Sequence, residues 1–128
     1  HGSTFGGNPL AMAAGNAVLD VVLAPGFLER VREASLRFKQ QLAMLKDEHP
    51  AVIEEVRGEG LLLGLKLRVP NTEFAAALRE RHLLAVGAGD NVVRILPPLT
   101  VSDAELSEGI AAIGAAAASF EAKKDAAA

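Results

Sequence analysis

The sequence predicts an α+β domain: a small sheet of three or four strands, mostly antiparallel, covered by helices. Two observations carry this reading. Apolar residues recur at helical spacing in some segments and form short extended runs in others, in the order α-α-β-β-α-β-β-α. The extended runs are short and separated by Gly, Pro and Asn, the residues that turn a chain.

Each element has its own signal. Asn8-Pro9 reads as a helix start, with Asn as N-cap and Pro at the first helical position. The helix that follows, Leu10 to Leu23, is apolar on nearly all sides, which implies burial against other protein. Pro25-Gly26 breaks the chain, and a second helix is expected from Phe27 to Glu48. Its apolar positions Phe27, Leu28, Val31, Phe38, Leu42 and Leu45 keep helical spacing, and the intervening charged residues form a solvated face. Val52–Val56 and Leu61–Leu67 read as strands joined through Arg57-Gly58-Glu59-Gly60. Leu61-Leu62-Leu63 is apolar at consecutive positions, so the second strand is expected at the centre of the sheet. Pro70-Asn71-Thr72-Glu73 opens a short helix, Phe74 to His82. Leu83–Val86 and Val92–Leu96 read as strands around a turn at Gly87-Ala88-Gly89-Asp90. Ser102-Asp103-Ala104-Glu105 is a capping box and opens a last helix, Ala104 to Phe120. A frayed tail is expected from residue 121.

The bulk numbers narrow the function. The chain has 128 residues, half of them hydrophobic, which fits one domain with its own core. A formal net charge of -3 speaks against nucleic acid or an anionic membrane as partner. With no cysteine there is no disulfide and no thiolate metal site. No apolar run approaches the roughly 20 residues that span a bilayer. The chain opens on a Gly-rich motif without an initiator Met, and it is expected to be a piece of a longer protein.

Two groups of residues could carry chemistry. Gly2-Ser3-Thr4-Phe5-Gly6-Gly7-Asn8-Pro9 places two hydroxyls and three glycines before a helix N-terminus. Free amides, the helix dipole and hydroxyl donors suit an anion there. A plain N-capping loop explains the same residues. Arg94 lies at the end of an apolar strand in Asn91-Val92-Val93-Arg94-Ile95-Leu96-Pro97-Pro98. On the residues alone, a structural ion pair is the first expectation. The alternative is a guanidinium held ready for a carboxylate, which it grips with two parallel hydrogen bonds. Arg57-Gly58-Glu59-Gly60 invites a nucleotide-loop reading, but its spacing is wrong and it precedes a strand, not a helix. His1, His49 and His82 lack metal-ligand spacing, and the last two are expected to partner helix C-termini.

The strings HGSTFGGNPLAMAAGNAVLDVV and VVRILPPL, with GLLLGL between them, resemble the class III (ornithine-type) pyridoxal-phosphate aminotransferases. The resemblance runs from residue 1 to about residue 120. It implies the C-terminal small domain of a fold-type I enzyme over residues 1–128, with residues 1–24 bordering the large domain. It implies that Thr4 contacts the pyridoxal phosphate of the neighbouring subunit of a homodimer. It places Ser3 at the substrate and gives Arg94 a carboxylate of the donor or of 2-oxoglutarate. Within the class, the strings look closest to the members that take N-acetylornithine in arginine biosynthesis, a cytoplasmic activity yielding glutamate. Members acting on succinylornithine or other ω-amines are the alternative. A non-catalytic interaction module using helix 10–23 is a further one. The family's Schiff-base lysine matches none of Lys39, Lys46, Lys66, Lys123 and Lys124. No catalytic residue is therefore expected here, and the chain alone should be inactive.

Overall fold

The computed structural model describes residues 2–126, with side chains through residue 122. The elements are α1 (Pro9–Val22), α2 (Phe27–Glu48), β1 (Ile53–Glu59), β2 (Leu62–Leu67), α3 (Asn71–Arg79), β3 (Val86–Ala88), β4 (Val92–Ile95) and α4 (Asp103–Ala126). The strands form one sheet in the order β1-β2-β4-β3, and every pair is antiparallel. The element order is the expected one.

The sheet is covered on one face. Leu61, Leu63, Leu65 and Leu67 point inward and are buried, as are Val93 and Ile95 of the paired β4. They meet Phe38 and Leu42 of α2, Phe74 and Leu78 of α3, and Ile113 of α4 in one core. β2 is central, as expected, but it is not covered on both sides: Leu62 on the outer face is 55% exposed. The other face carries Glu55, Arg57, Lys66 and Arg94 and remains open.

The helices start and stop for local reasons. Asn8 caps α1 by accepting from the Ala11 amide at 2.9 Å. The Ser102 hydroxyl accepts from the Glu105 amide at 3.2 Å, and Glu105 accepts in return from the Ser102 amide at 2.7 Å, so the capping box forms. α3 closes with His82 at φ 60, while the Leu83 amide bonds back to the Leu78 carbonyl. This is the helix stop that usually takes glycine.

Several boundaries move, and tertiary pairing moves them. β1 runs on to Glu59 because Arg57, Gly58 and Glu59 pair with Gly64, Leu63 and Leu62. The turn shrinks to Gly60-Leu61. α3 begins at Asn71 and ends by Arg79, earlier at both ends than expected. β3 is Val86–Ala88 rather than Leu83–Val86, because Val86, Gly87 and Ala88 pair with Arg94, Val93 and Val92. α4 does not fray at residue 121 but continues to Ala126. Alanines favour helix there, the Phe120 ring lies 5.8 Å from that of Phe74, and Glu121 pairs with His49. Residues 127–128 of the expected tail lie outside the described residues. α1 packs chiefly on the start of α2 and buries none of its side chains in this chain. Among the described residues no single helix is long and apolar enough to cross a membrane.

Two glycines predict opposite outcomes. Gly58 has φ 111, and a Cβ there would stand 2.1 Å from the Leu62 carbonyl oxygen. Gly58→Ala should lower unfolding stability by on the order of 2–4 kcal/mol, combining strain with a backbone clash. Gly109 lies inside α4 with nothing within 4 Å of an added Cβ. Gly109→Ala should raise stability by about 0.5–1 kcal/mol. Urea midpoints of the two variants against the parent chain check both signs.

Candidate functional site

The loop before α1 is built as a tight turn. The Gly6 amide donates to the Ser3 carbonyl at 3.2 Å, and the Asn8 side chain donates to the Phe5 carbonyl at 2.6 Å. Gly7 takes φ 74, which glycine reaches without strain. Ser3 and Thr4 are exposed, and neither hydroxyl has a hydrogen-bond partner among the described residues. No acidic residue stands in the first turn of α1. The local field therefore favours an anion, and the donors are free to meet one.

Arg94 sits on the open face of the sheet. It is exposed and has no hydrogen bond or ion pair among the described residues. The expected structural ion pair does not form, and solvation at this strand end is not poor. The reason is its row in the sheet: Arg94 is paired with Gly64 of β2 on one side and Val86 of β3 on the other, and neither offers a carboxylate. No hydrogen bond or ion pair joins Arg94 to the loop of Ser3 and Thr4 among the described residues. The two halves of the expected site are not brought together by this chain.

A charged network that the sequence did not suggest lies beside Arg94. Arg57 donates to Glu55 through Nε at 2.7 Å and to Asp90 through Nη1 at 2.6 Å. Lys66 Nζ stands 3.4 Å from the other oxygen of Asp90 and 3.8 Å from Glu54. The Arg57 hydrogen bond, and then that of Lys66, hold the Asp90 carboxyl below the ordinary range, and Glu55 and then Asp90 raise Arg57. The only signal in the sequence was Asp90-Asn91, two residues that tolerate the left-handed turn they adopt, at φ 58 and 54.

Two more polar residues pin the strand that bears Arg94. Asn91 donates to the carbonyls of Leu67 and Val69 at 2.7 and 2.9 Å and accepts from the Asn71 amide at 2.9 Å. Asn71 donates to the carbonyls of Ala88 and Val92, both at 3.0 Å. Beyond the strand, Arg30 of α2 donates to the carbonyls of Leu99 and Val101. An apolar cleft of about 280 Å³ lies between Phe38, Leu83, Pro98, Leu106 and Ile113.

The remaining candidates are structural. Lys39 donates to the Gly58 carbonyl at 2.9 Å, and Lys46 and Lys66 have carboxylate partners, so no described lysine is a buried amine. The side chains of Lys123 and Lys124 lie outside the described residues, as does His1. His49 stands at the C-cap of α2, where its amide donates to the Leu45 carbonyl at 2.9 Å, and its Nδ1 pairs with Glu121 at 2.8 Å. Arg57–Gly60 is a hairpin, not a phosphate loop. No group of three metal-ligand side chains occurs among the described residues.

Comparison with known proteins agrees with the fold. The family model for aminotransferase class-III matches residues 1–117. The acetylornithine aminotransferase of Agrobacterium fabrum is 64% identical over 124 residues, 97% of this chain and 31% of its own length. That of Mesorhizobium japonicum is 63% identical over 91% of this chain and 29% of its own length. The crystal structure of acetylornithine aminotransferase from Elizabethkingia anophelis superposes with a TM-score of 0.84 at 34% identity, covering 94% of this chain and 32% of that one. The chain thus spans less than a third of the length of these relatives.

The Asp90 network predicts a titration. A carboxyl lowered in the folded state stabilises the fold above the ordinary carboxylate range, and the contribution fades as pH falls through its own, lower midpoint. Carboxyl-carbon NMR should therefore find Asp90 titrating below ordinary aspartates, with Arg57→Gln moving it back up. An ordinary midpoint in the parent chain would refute the pairing.

Proposed function

The chain belongs to the class III aminotransferases, and from that membership we propose that it is the small domain of an enzyme that moves the δ-amino group of N-acetylornithine to 2-oxoglutarate. The observation that carries the reading is Arg94, an exposed guanidinium without a partner among the described residues, on the open face of the sheet. Of the three cations on the strands, Arg57 and Lys66 have carboxylates and Arg94 has none among the described residues. A fork-shaped cation kept free and fixed suits the planar carboxylate that both substrates carry.

The family uses pyridoxal phosphate, which when bound supplies the electron sink for amino transfer. The loop residues fit the phosphate end of that group: two unengaged hydroxyls precede a helix N-terminus with no acid nearby. Thr4 would donate to a phosphate oxygen and Ser3 would face the substrate. No described lysine fits the amine that must hold the other end, so that residue belongs to the rest of the enzyme. In this reading Thr4 reaches the cofactor of the neighbouring subunit, which makes a homodimer necessary. The names of the relatives support N-acetylornithine as donor; cytoplasmic arginine biosynthesis is the setting that this donor would give the enzyme. A succinylornithine donor would use the same Arg94 contact. What this domain contributes is binding and orientation, which lower the barrier by fixing the carboxylate before reaction.

Two substitutions in the full-length enzyme test the assignment. Thr4→Val should weaken pyridoxal phosphate by about tenfold, the scale of one hydrogen bond to a charged group. Spectrophotometric titration of the apoenzyme reads this directly, and unchanged affinity would reject Thr4 as a phosphate ligand. Arg94→Lys should raise the KM for 2-oxoglutarate or the donor by about tenfold with a smaller change in kcat, since one ammonium cannot reproduce the fork. Wild-type kinetics in both half-reactions would make Arg94 merely structural.

A further inference from the structure

The strand that bears Arg94 begins at an irregular joint. β4 is four residues long, and the two residues before it are left-handed, Asp90 at φ 58 and Asn91 at φ 54. This backbone disfavours most side chains, and Asn and Asp tolerate it. It also ends the regular ladder, so the register of β2 with β4 stops at Lys66 opposite Val92. Asn91 nevertheless carries the pairing one step further. Leu67 is the next residue of β2, and its amide donates to the Asn91 carbonyl at 3.1 Å. In a regular antiparallel pair the return bond comes from the partner's backbone amide. Here the Leu67 carbonyl accepts from the side chain, Asn91 Nδ2, at 2.7 Å.

The rest of the carboxamide is engaged as well. Nδ2 also donates to the Val69 carbonyl at 2.9 Å, and Oδ1 accepts from the Asn71 amide at 2.9 Å. Two donors and an acceptor are used at once, which fixes the orientation of the group. Of Gly, Asp and Asn, the residues that best tolerate this backbone, only Asn has both the N–H groups and the oxygen. The consequence reaches Arg94, which follows three residues later, about 10 Å along the strand. Its neighbours in the sheet are Gly64 and Val86, and no hydrogen bond or ion pair holds its side chain among the described residues. The aim of the guanidinium is therefore set by the backbone beneath it. The twist of so short a strand depends on its pairs, and β3 on the other side is an edge strand of three residues.

We propose that Asn91 is a positioning residue for Arg94: its carboxamide closes the last pair between β2 and β4 where the backbone does not, and so sets the twist at which β4 presents the guanidinium to the carboxylate of the substrate. The proposal rests on the reading of Arg94 as a carboxylate ligand. Asn91 itself touches no substrate. Its effect is to hold the strand of the cation that does.

The test uses the full-length enzyme with its cofactor, and glutarate as an unreactive dicarboxylate probe. Calorimetry gives the glutarate Kd, and steady-state kinetics give kcat and KM for 2-oxoglutarate. Asn91→Gly keeps the left-handed turn without strain and removes only the carboxamide. It should weaken glutarate about three- to tenfold and raise KM in parallel, the upper end being one hydrogen bond to a charged group. Both kcat and the affinity for pyridoxal phosphate should stay within about twofold, because no hydrogen bond among the described residues links this hairpin to the loop of Ser3 and Thr4. In an Arg94→Gln background the same change should alter kcat/KM for 2-oxoglutarate by less than about twofold, since a residue that acts through Arg94 has nothing left to act on. An unchanged Kd in Asn91→Gly overturns the proposal. So does an equal loss of pyridoxal phosphate affinity or of kcat, which would mark a domain loosened throughout, and so does an undiminished effect in the Arg94→Gln background. If Asn91→Gly does not fold, Asn91→Asp replaces it on the same terms: it tolerates the turn and keeps the acceptor for Asn71 but has no N–H for Leu67. Arg94→Gln alone separates the two readings. Retained glutarate affinity there removes the carboxylate reading and this proposal with it. Lost affinity there, beside an unaffected Asn91→Gly, removes this proposal alone.

Discussion

The register between β2 and its neighbours is the constraint on which the rest depends. Leu61, Leu63, Leu65 and Leu67 all face the helices, and Leu62, Gly64 and Lys66 all face away. Side chains alternate with a period of two, so a slip of one residue would exchange the sets. Four leucines would then leave the core, each losing about 1.5–3 kcal/mol of burial, and Lys66 would enter it. That penalty fixes which residues stand opposite one another. It places Arg94 beside Gly64, and it places Arg57 at the other end of the same row.

A fixed register makes the open face a platform for charge. The strand bearing Arg94 is pinned before its start by Asn91 and Asn71, whose side chains satisfy four backbone carbonyls between them. It is pinned after its end by Arg30, which takes the carbonyls of Leu99 and Val101. A site works best when its residues stand on rigid elements supported by a second layer of contacts. Here the support is backbone hydrogen bonding on both flanks. The apolar cleft under Pro98 and Leu106 plays no part in that arrangement.

The sequence was legible where the signal is local. Helical spacing located α2, Asn8 and Ser102 announced the caps of α1 and α4, and the leucine run marked the central strand. It was misleading where a partner decides. β1 gains three residues and β3 shifts along the chain because the neighbouring strands supply hydrogen bonds that no local pattern reveals. Arg94 was first expected to be paired, since a charge among apolar residues usually is. Among the described residues it is unpaired, because the row across the sheet offers it glycine and valine. The network of Arg57, Glu55, Lys66 and Asp90 depends on three strands and a turn, so no reading of one segment could assemble it. The family resemblance supplied roles for Ser3, Thr4 and Arg94, but not the reason that Arg94 remains available.

The two halves of the site differ in how they are held. Arg94 is placed by elements that share one core. Ser3 and Thr4 are placed by α1, a helix of 14 residues with no buried side chain, on which Leu10, Met12, Val18 and Leu19 are all at least half exposed. An isolated helix of that length is marginal in water, and a contiguous apolar surface of this kind calls for a partner. In the function proposed above, that partner is the rest of the enzyme. The carboxylate half can then be built by this domain before any other surface arrives, whereas the phosphate half is set only when α1 is covered. In that reading, a loop whose position depends on that covering would couple cofactor contact to assembly, and a sheet that does not depend on it would keep the substrate contact constant throughout.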